Sequence, residues 1–262
     1  MSRECLFCGA IGPAILTDEH IVPQWLLRHL GLTTDVKMFQ GVASSETGEL
    51  AAPPRVHGSF RFVEGRVCGT CNSGWMERLE SAARPALIEL IDRRREISSL
   101  SSAESAIIGK WAAKTAYLHT YASQLRHPVQ LDHLRSLNGD GGAPHSDVGV
   151  FAAQDEHIKP SGYIQSNYWP ELVPPGTAAN GEPPRDSYKI GLQLGHLYLL
   201  VAFWPYPLAI LEPKRGLHIP ILPGNSRPEV THTLELEIGS GPVDFVAAFT
   251  NSLGVVRGDL VA

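Results

Sequence analysis

The tightest constraint on this chain is its four cysteines, which fall as two C-x-x-C pairs, Cys5-Leu6-Phe7-Cys8 and Cys68-Gly69-Thr70-Cys71. A C-x-x-C turn is tight enough for both thiolates to reach one ion, and two such turns complete a tetrahedral set of sulfurs. Every cysteine of the sequence is used, so the spacing predicts a structural Zn²⁺ that closes the segment between Gly9 and Val67 into a loop. Disulfides are the competing reading, and they need an oxidising compartment. Met1 leads straight into Ser2-Arg3-Glu4-Cys5 without an apolar leader, so reduced thiols and a cytoplasmic location are expected. A thioredoxin-like redox pair is weaker still, because no strand precedes either pair in a βαβ context.

Polar residues that a purely structural zinc site does not need accompany both pairs. Thr17-Asp18-Glu19-His20-Ile21-Val22-Pro23 follows the first, and Asn72-Ser73-Gly74-Trp75-Met76-Glu77 runs on from the second. If the cysteines meet, Asn72 and the Glu19-His20 pair are brought toward one small centre. Hydrolysis of a phosphodiester needs a base for water and a cation for the phosphate oxygens. His20, neutral near pH 7, suits the base. Glu19 can ligate a hard divalent ion or orient a neighbour, and Asn72 offers an amide oxygen. Zinc and the catalytic Mg²⁺ or Mn²⁺ would be different ions, the first on sulfur and the second on oxygen or imidazole.

Taken in order, C-x-x-C, Glu-His-Ile-Val-Pro and Cys-x-x-Cys-Asn resemble the zinc-containing branch of the HNH endonucleases, the ββα-metal group. The resemblance covers about residues 5–80. It implies a treble-clef-like zinc module in which Cys5, Cys8, Cys68 and Cys71 hold zinc, Glu19 and Asn72 hold the catalytic ion, and His20 is the base acting on DNA. The family often carries an Asn about five residues before the second pair, where this chain has Val63; His57, on the same expected hairpin, is the candidate to replace it in the catalytic set. The Lys usual after the last ligand is replaced by Gly74-Trp75. Glu77 or Glu80 could help bind the ion, with solvation or a salt bridge as the ordinary alternative.

At 262 residues the chain can bury a sizeable core. The fold expected is α+β: a zinc module over residues 1–97, then residues 98–262 with helices over about 103–137 and a mainly antiparallel β region over about 148–250. A formal charge of −5 speaks against a protein that coats duplex DNA by general electrostatics. A nuclease needs only a local basic patch, for which Arg55, Arg61, Arg66, Arg78, Arg84 and Arg93-Arg94-Arg95 are candidates. The ordinary reading of that last run is a solvated helix end. The longest apolar stretch, Leu197 to Trp204, is far short of a membrane span.

Within the first region, Pro23 to Leu30 reads as a helix stopped at Gly31, and Arg55 to Val67 as a hairpin turning at Glu64-Gly65. A helix follows the second pair, capped by Asn72 or Ser73 and irregular at Pro85. Ala103 to Tyr121 is the clearest helix, with a buried stripe through Ile107, Ile108, Trp111, Ala112, Thr115, Leu118 and Tyr121. Lys110 and Lys114 share a face one turn apart, read as solvated or as a phosphate contact. Tyr188–Leu194 and His196–Phe203 read as a hairpin split by Gly195, and further strands are expected at Val148–Ala153, Gly162–Tyr168, Pro207–Leu211, Thr233–Ile238 and Val243–Thr250. The second half shows no catalytic spacing, so a scaffold that forms a homodimer, presents substrate or binds a partner is its plain role. A catalytically inactive zinc module that binds nucleic acid or protein is the alternative for the whole chain.

Overall fold

A computed structural model describes residues 4–12, 15–32, 37–40, 55–58, 63–123, 129–166, 187–203, 209–213, 219–222 and 253–257. In chain order they form β1 (Leu16–His20), α1 (Gln24–His29), β2 (Lys37–Gln40), β3 (Arg55–Gly58), β4 (Val63–Cys68), α2 (Gly69–Cys71), a π turn (Asn72–Met76) and α3 (Glu77–Ile91). Then come α4 (Ser102–Ala122), α5 (Leu131–Ser136), β5 (Val148–Ser166), β6 (Tyr188–Phe203), β7 (Ala209–Pro213), β8 (Ile219–Leu222) and β9 (Leu253–Arg257). Helices mixed with small antiparallel sheets make this an α+β arrangement.

β1 pairs with β4, setting Leu16 opposite Cys68 and His20 opposite Val63. Between Thr17 and Glu19 the partner strand steps from Val67 to Glu64, so β4 carries one extra residue, a β-bulge at Gly65-Arg66. The Arg66 N–H released by the bulge donates to Glu64 Oε1 at 3.0 Å, and Arg66 Nε donates to the same oxygen at 2.9 Å. The expected hairpin over Arg55 to Val67 is therefore corrected. Glu64-Gly65 lies inside β4, whereas β3 pairs with β2 in a separate ribbon. The glycine serves a bulge and not a turn: a Cβ there would sit 3.4 Å from Asp18 Oδ1.

The helix after Cys68 begins at once, so neither Asn72 nor Ser73 caps it. Gly74 leaves helical geometry (φ −102°, ψ −111°) and widens the turn before α3, which turns Trp75 and Met76 inward. α3 then runs unbroken through Pro85, whose exposed position lets the carbonyl deprived of its partner face water. Ser101 closes a capping box on α4, accepting from Glu104 N while its own N–H donates to the Glu104 carboxylate at 2.9 Å.

α4 departs from the expected one-sided helix, because every residue from Ile108 to Thr120 is buried. It packs against α3, β4, β5, β6 and β8, so no side is left for water. β5 and β6 are likewise single long strands paired from Val148↔Phe203 to Ser166↔Lys189. Gly195, expected to split a hairpin, takes φ 59° inside β6 opposite Lys159, where the register shifts. Like Gly65 it marks an irregularity in a continuous strand. β7 pairs with β9 and β8 with β5; the strands expected at Thr233–Ile238 and Val243–Thr250 lie outside the described residues.

One continuous apolar core runs from Cys5, Phe7 and Leu26 through Trp75, Leu87 and Trp111 to Leu199 and Val201. It encloses a polar chain at the β6 end. The Tyr188 hydroxyl donates to Tyr117 Oη at 2.9 Å and lies 2.7 Å from His133 Nδ1, with His145 stacked on His133 at 5.0 Å. Burial lowers the His133 pKa to about 4 and that of His119 to about 3, so both imidazoles are neutral at pH 7.

Candidate metal centre and adjoining site

The two C-x-x-C turns meet. One ligand atom from each of Cys5, Cys8, Cys68 and Cys71 lies within 4.8 Å of all the others, and Cys8 Sγ is 3.5 Å from Cys68 Sγ. Zinc–sulfur bonds of about 2.3 Å in a tetrahedron require sulfur separations of about 3.8 Å. The four sulfurs thus fit a metal ion with little adjustment. Local backbone holds them there: Leu6 N donates to Arg66 O at 2.9 Å, docking the first turn on the bulged strand, and Cys5 N donates to Ala10 O at 2.8 Å. Gly9 adopts φ 72°, the left-handed conformation that closes the first turn.

The sulfurs already share one ionisable system. A hydrogen bond from the Cys71 thiol, helped by the backbone N–H groups of Cys8, Cys68 and Phe7, lowers the Cys5 pKa to about 4. Cys68 N donates to Cys5 Sγ at 3.3 Å. Cys71 moves the other way, first because its thiol is the donor to Cys5 and then because it is buried.

β1 carries Glu19 and His20 away from this centre. Glu19 is buried and its Oε1 accepts from Lys114 Nζ of α4 at 3.2 Å. Burial raises the Glu19 pKa and Lys114 opposes the rise, while Glu80 adds to it. His20 is half-buried, with its Nε2 3.3 Å from Gln24 Nε2 on α1. Asn72, half-buried in the π turn, donates from Nδ2 to Thr17 Oγ1 at 3.0 Å. That bond ties the start of the helix to β1 and leaves the amide oxygen as Asn72's ligand atom. β1 is thus held at Thr17 by Asn72 and at Glu19 by Lys114. His57 falls in β3, across from Met38 of β2, in a ribbon hydrogen-bonded to neither β1 nor β4. Val63, where the resemblance leads one to look for Asn, stands directly across from His20.

The lysines overturn their expected role. Lys114, fully enclosed, also donates to Glu80 Oε1 of α3 at 2.6 Å. Burial lowers its pKa, but Glu80 and Glu19 together outweigh that and hold it above the ordinary lysine value. Lys110 lies over the Trp75 ring at 4.9 Å and donates to Gly139 O at 2.6 Å. Neither amine is free to follow a phosphate. Much of the expected arginine patch is engaged as well: Arg66 with Glu64, Arg78 with Asp140, Arg94 with Asp92 and Arg95 with Glu104. Glu77 is exposed on the first turn of α3. Arg84 stacks over Trp25 at 5.3 Å, and exposed Arg28 follows Gln24 by one turn on α1.

The Thr17 bond to Asn72 and the Lys114 link to Glu19 carry no spacing signal, because they join residues 55 and 95 positions apart. No family model, curated protein or solved structure matches the chain. Among the described residues no helix is long and apolar enough to cross a membrane.

Proposed function

We propose that the chain is a metal-dependent endonuclease that hydrolyses phosphodiester bonds in DNA, built on a zinc-stabilised ββα module. The observation that carries the reading is the path of the chain around the sulfurs. β1 ends in Glu19-His20, β4 pairs with it antiparallel and ends in Cys68, and the helix that follows at once returns Asn72 to β1. That is the order of parts in the HNH group which the sequence resembles.

Zinc on the four cysteines serves structure, since four sulfurs leave no open position for substrate. His20, half-buried and reaching Gln24, accepts the proton of the attacking water. The Gln24 amide nitrogen, 3.3 Å from His20 Nε2, can only donate, so it occupies the ring's lone pair and must release it before His20 acts as the base. Asn72 Oδ1 and the Glu19 carboxylate would hold Mg²⁺ or Mn²⁺. That ion supplies positive charge to the non-bridging and leaving oxygens. Arg28 and Arg84, beside α1, supply the local contacts to the DNA backbone that a net charge of −5 does not.

Cleavage of plasmid DNA in Mg²⁺ or Mn²⁺ by the wild-type chain, with loss in His20→Ala at unchanged zinc content, is the expected result. Equal cleavage by both proteins, or none by either across metals and substrates, would refute the proposal.

A second reading, an inactive zinc module that binds nucleic acid or protein, is favoured by two observations: Glu19 is committed to Lys114, and Val63 faces His20. It requires four-sulfur zinc with no second metal site. A Mn²⁺ titration that broadens the His20 resonances specifically excludes it.

A further inference from the structure

A lysine with no solvent exposure sits where three elements meet. Lys114 comes from α4, and its Nζ lies 3.2 Å from Glu19 Oε1 on β1 and 2.6 Å from Glu80 Oε1 on α3. The Lys114 side chain is 0% exposed and that of Glu19 9%. Enclosing three charges is a poor way to gain stability, because the loss of hydration offsets most of the attraction, and apolar side chains of similar volume do as well or better. What such a cluster does supply is direction: each carboxylate has one place to go.

We propose that Lys114 is a positioning residue of the site, holding Glu19 and Glu80 on one ammonium so that the β1 end bearing His20 is fixed against the helix bearing Asn72. The inference rests on the nuclease reading and adds that α4, from beyond the expected zinc module of residues 1–97, completes the site. Two clamps then set β1. Asn72 holds it at Thr17 with a 3.0 Å hydrogen bond, and Lys114 holds it at Glu19, the residue before His20. Glu80 lies on α3 and Asn72 in the turn before it, on opposite sides of the Gly74 kink, so the two clamps come from different segments and meet β1 two residues apart, at Thr17 and Glu19. With no exposed surface, Lys114 cannot meet DNA or the reacting water, and it acts only through the groups it holds.

The test compares Lys114→Met and Glu80→Gln with the wild-type full-length chain, all zinc-loaded. It follows Mn²⁺-dependent DNA cleavage and the ring resonances of His20 in ¹⁵N-histidine protein, assigned with His20→Ala. Lys114→Met is expected to lower kcat about 100-fold, the scale for a misplacement of about 1 Å, with KM for DNA within about twofold because the lysine touches no substrate. Glu80→Gln, which keeps the Glu19 contact, is expected to lose about 10-fold, as second partners of a site commonly do. The His20 ring resonances move in Lys114→Met. Wild-type kcat in folded, zinc-loaded Lys114→Met overturns the proposal. If that variant does not fold, wild-type kcat in Glu80→Gln overturns it. A wild-type chain that cuts nothing refutes the nuclease reading instead, and the spectrum still decides the clamp: moved His20 resonances in either variant support it, and unmoved ones overturn it.

Discussion

The region around β1, β4 and the cysteine turns and the region around α4, β5 and β6 are held together by different means. The first has a two-stranded sheet, a six-residue helix and a three-residue helix, too little apolar surface to stand alone. Phe7, Ile21, Leu26 and Val67 tie it to the common core, and four sulfurs, a bulge satisfied by Glu64, and side-chain bonds from Asn72 and Lys114 add to its order. The second buries α4 from Ile108 to Thr120 and β6 at every residue but His196, with Trp111, Phe151, Leu199 and Val201 at 0% exposure. The difference teaches where chemistry can sit: polar groups stay partly open beside a centre held by few strong bonds, and α4 lends that centre rigidity.

Several substitutions can break or sharpen this contrast. Cys68→Ser strikes the first region hardest. A structural zinc site is worth on the order of 10 kcal/mol of folding, so the variant should lose its metal and the order of β1, β4 and the cysteine turns. Zinc content and amide hydrogen exchange measure both, and full zinc retention would abolish the contrast. Phe151→Ala, in the wall of β5, should cost about 3–5 kcal/mol in denaturant melts while zinc content stays at the wild-type level.

Acid should act on the second region through its buried imidazoles. The pKa values of His133, at about 4, and His119, at about 3, lie below the ordinary 6.5, so the unfolded chain takes up protons first. Their contribution is complete above pH 6.5 and is lost as pH falls toward 4, at about 1.4 kcal/mol per pH unit for each group. Denaturant melts from pH 7 to 5, with zinc content followed, check the slope. Tyr188→Phe leaves His133 Nδ1 and Tyr117 Oη without their shared partner and should cost about 1–3 kcal/mol. Gly195→Ala, at φ 59°, should cost about 1–2 kcal/mol without moving the β5–β6 register, which strand-to-strand NOEs report.

What could be read from the sequence follows the same division. The cysteine turns, α1 and α4 carry short-range signals: fixed spacing, a proline and glycine flanking a helix, a run of apolar residues. Gly65 and Gly195 misled, because a glycine between two alternating runs has the same pattern whether the chain turns back or continues through a bulge; only the partner strand decides. Lys110 and Lys114 misled for a related reason. Helical spacing gives their shared face but not what covers it, and Glu19 and Glu80 reach Lys114 from 95 and 34 residues away. The residues of the candidate site could be named from the motif, and their clamps could not.

Zinc-edge X-ray absorption on the purified chain, with metal content and thiol mass measured on the same sample, probes most directly whether one ion joins the cysteine turns. One zinc per chain with four sulfurs at about 2.3 Å is the expected spectrum, and it should vanish in Cys68→Ser. A metal-free, folded protein, a Cys5–Cys8 disulfide, or a shell containing nitrogen or oxygen in place of sulfur would contradict it.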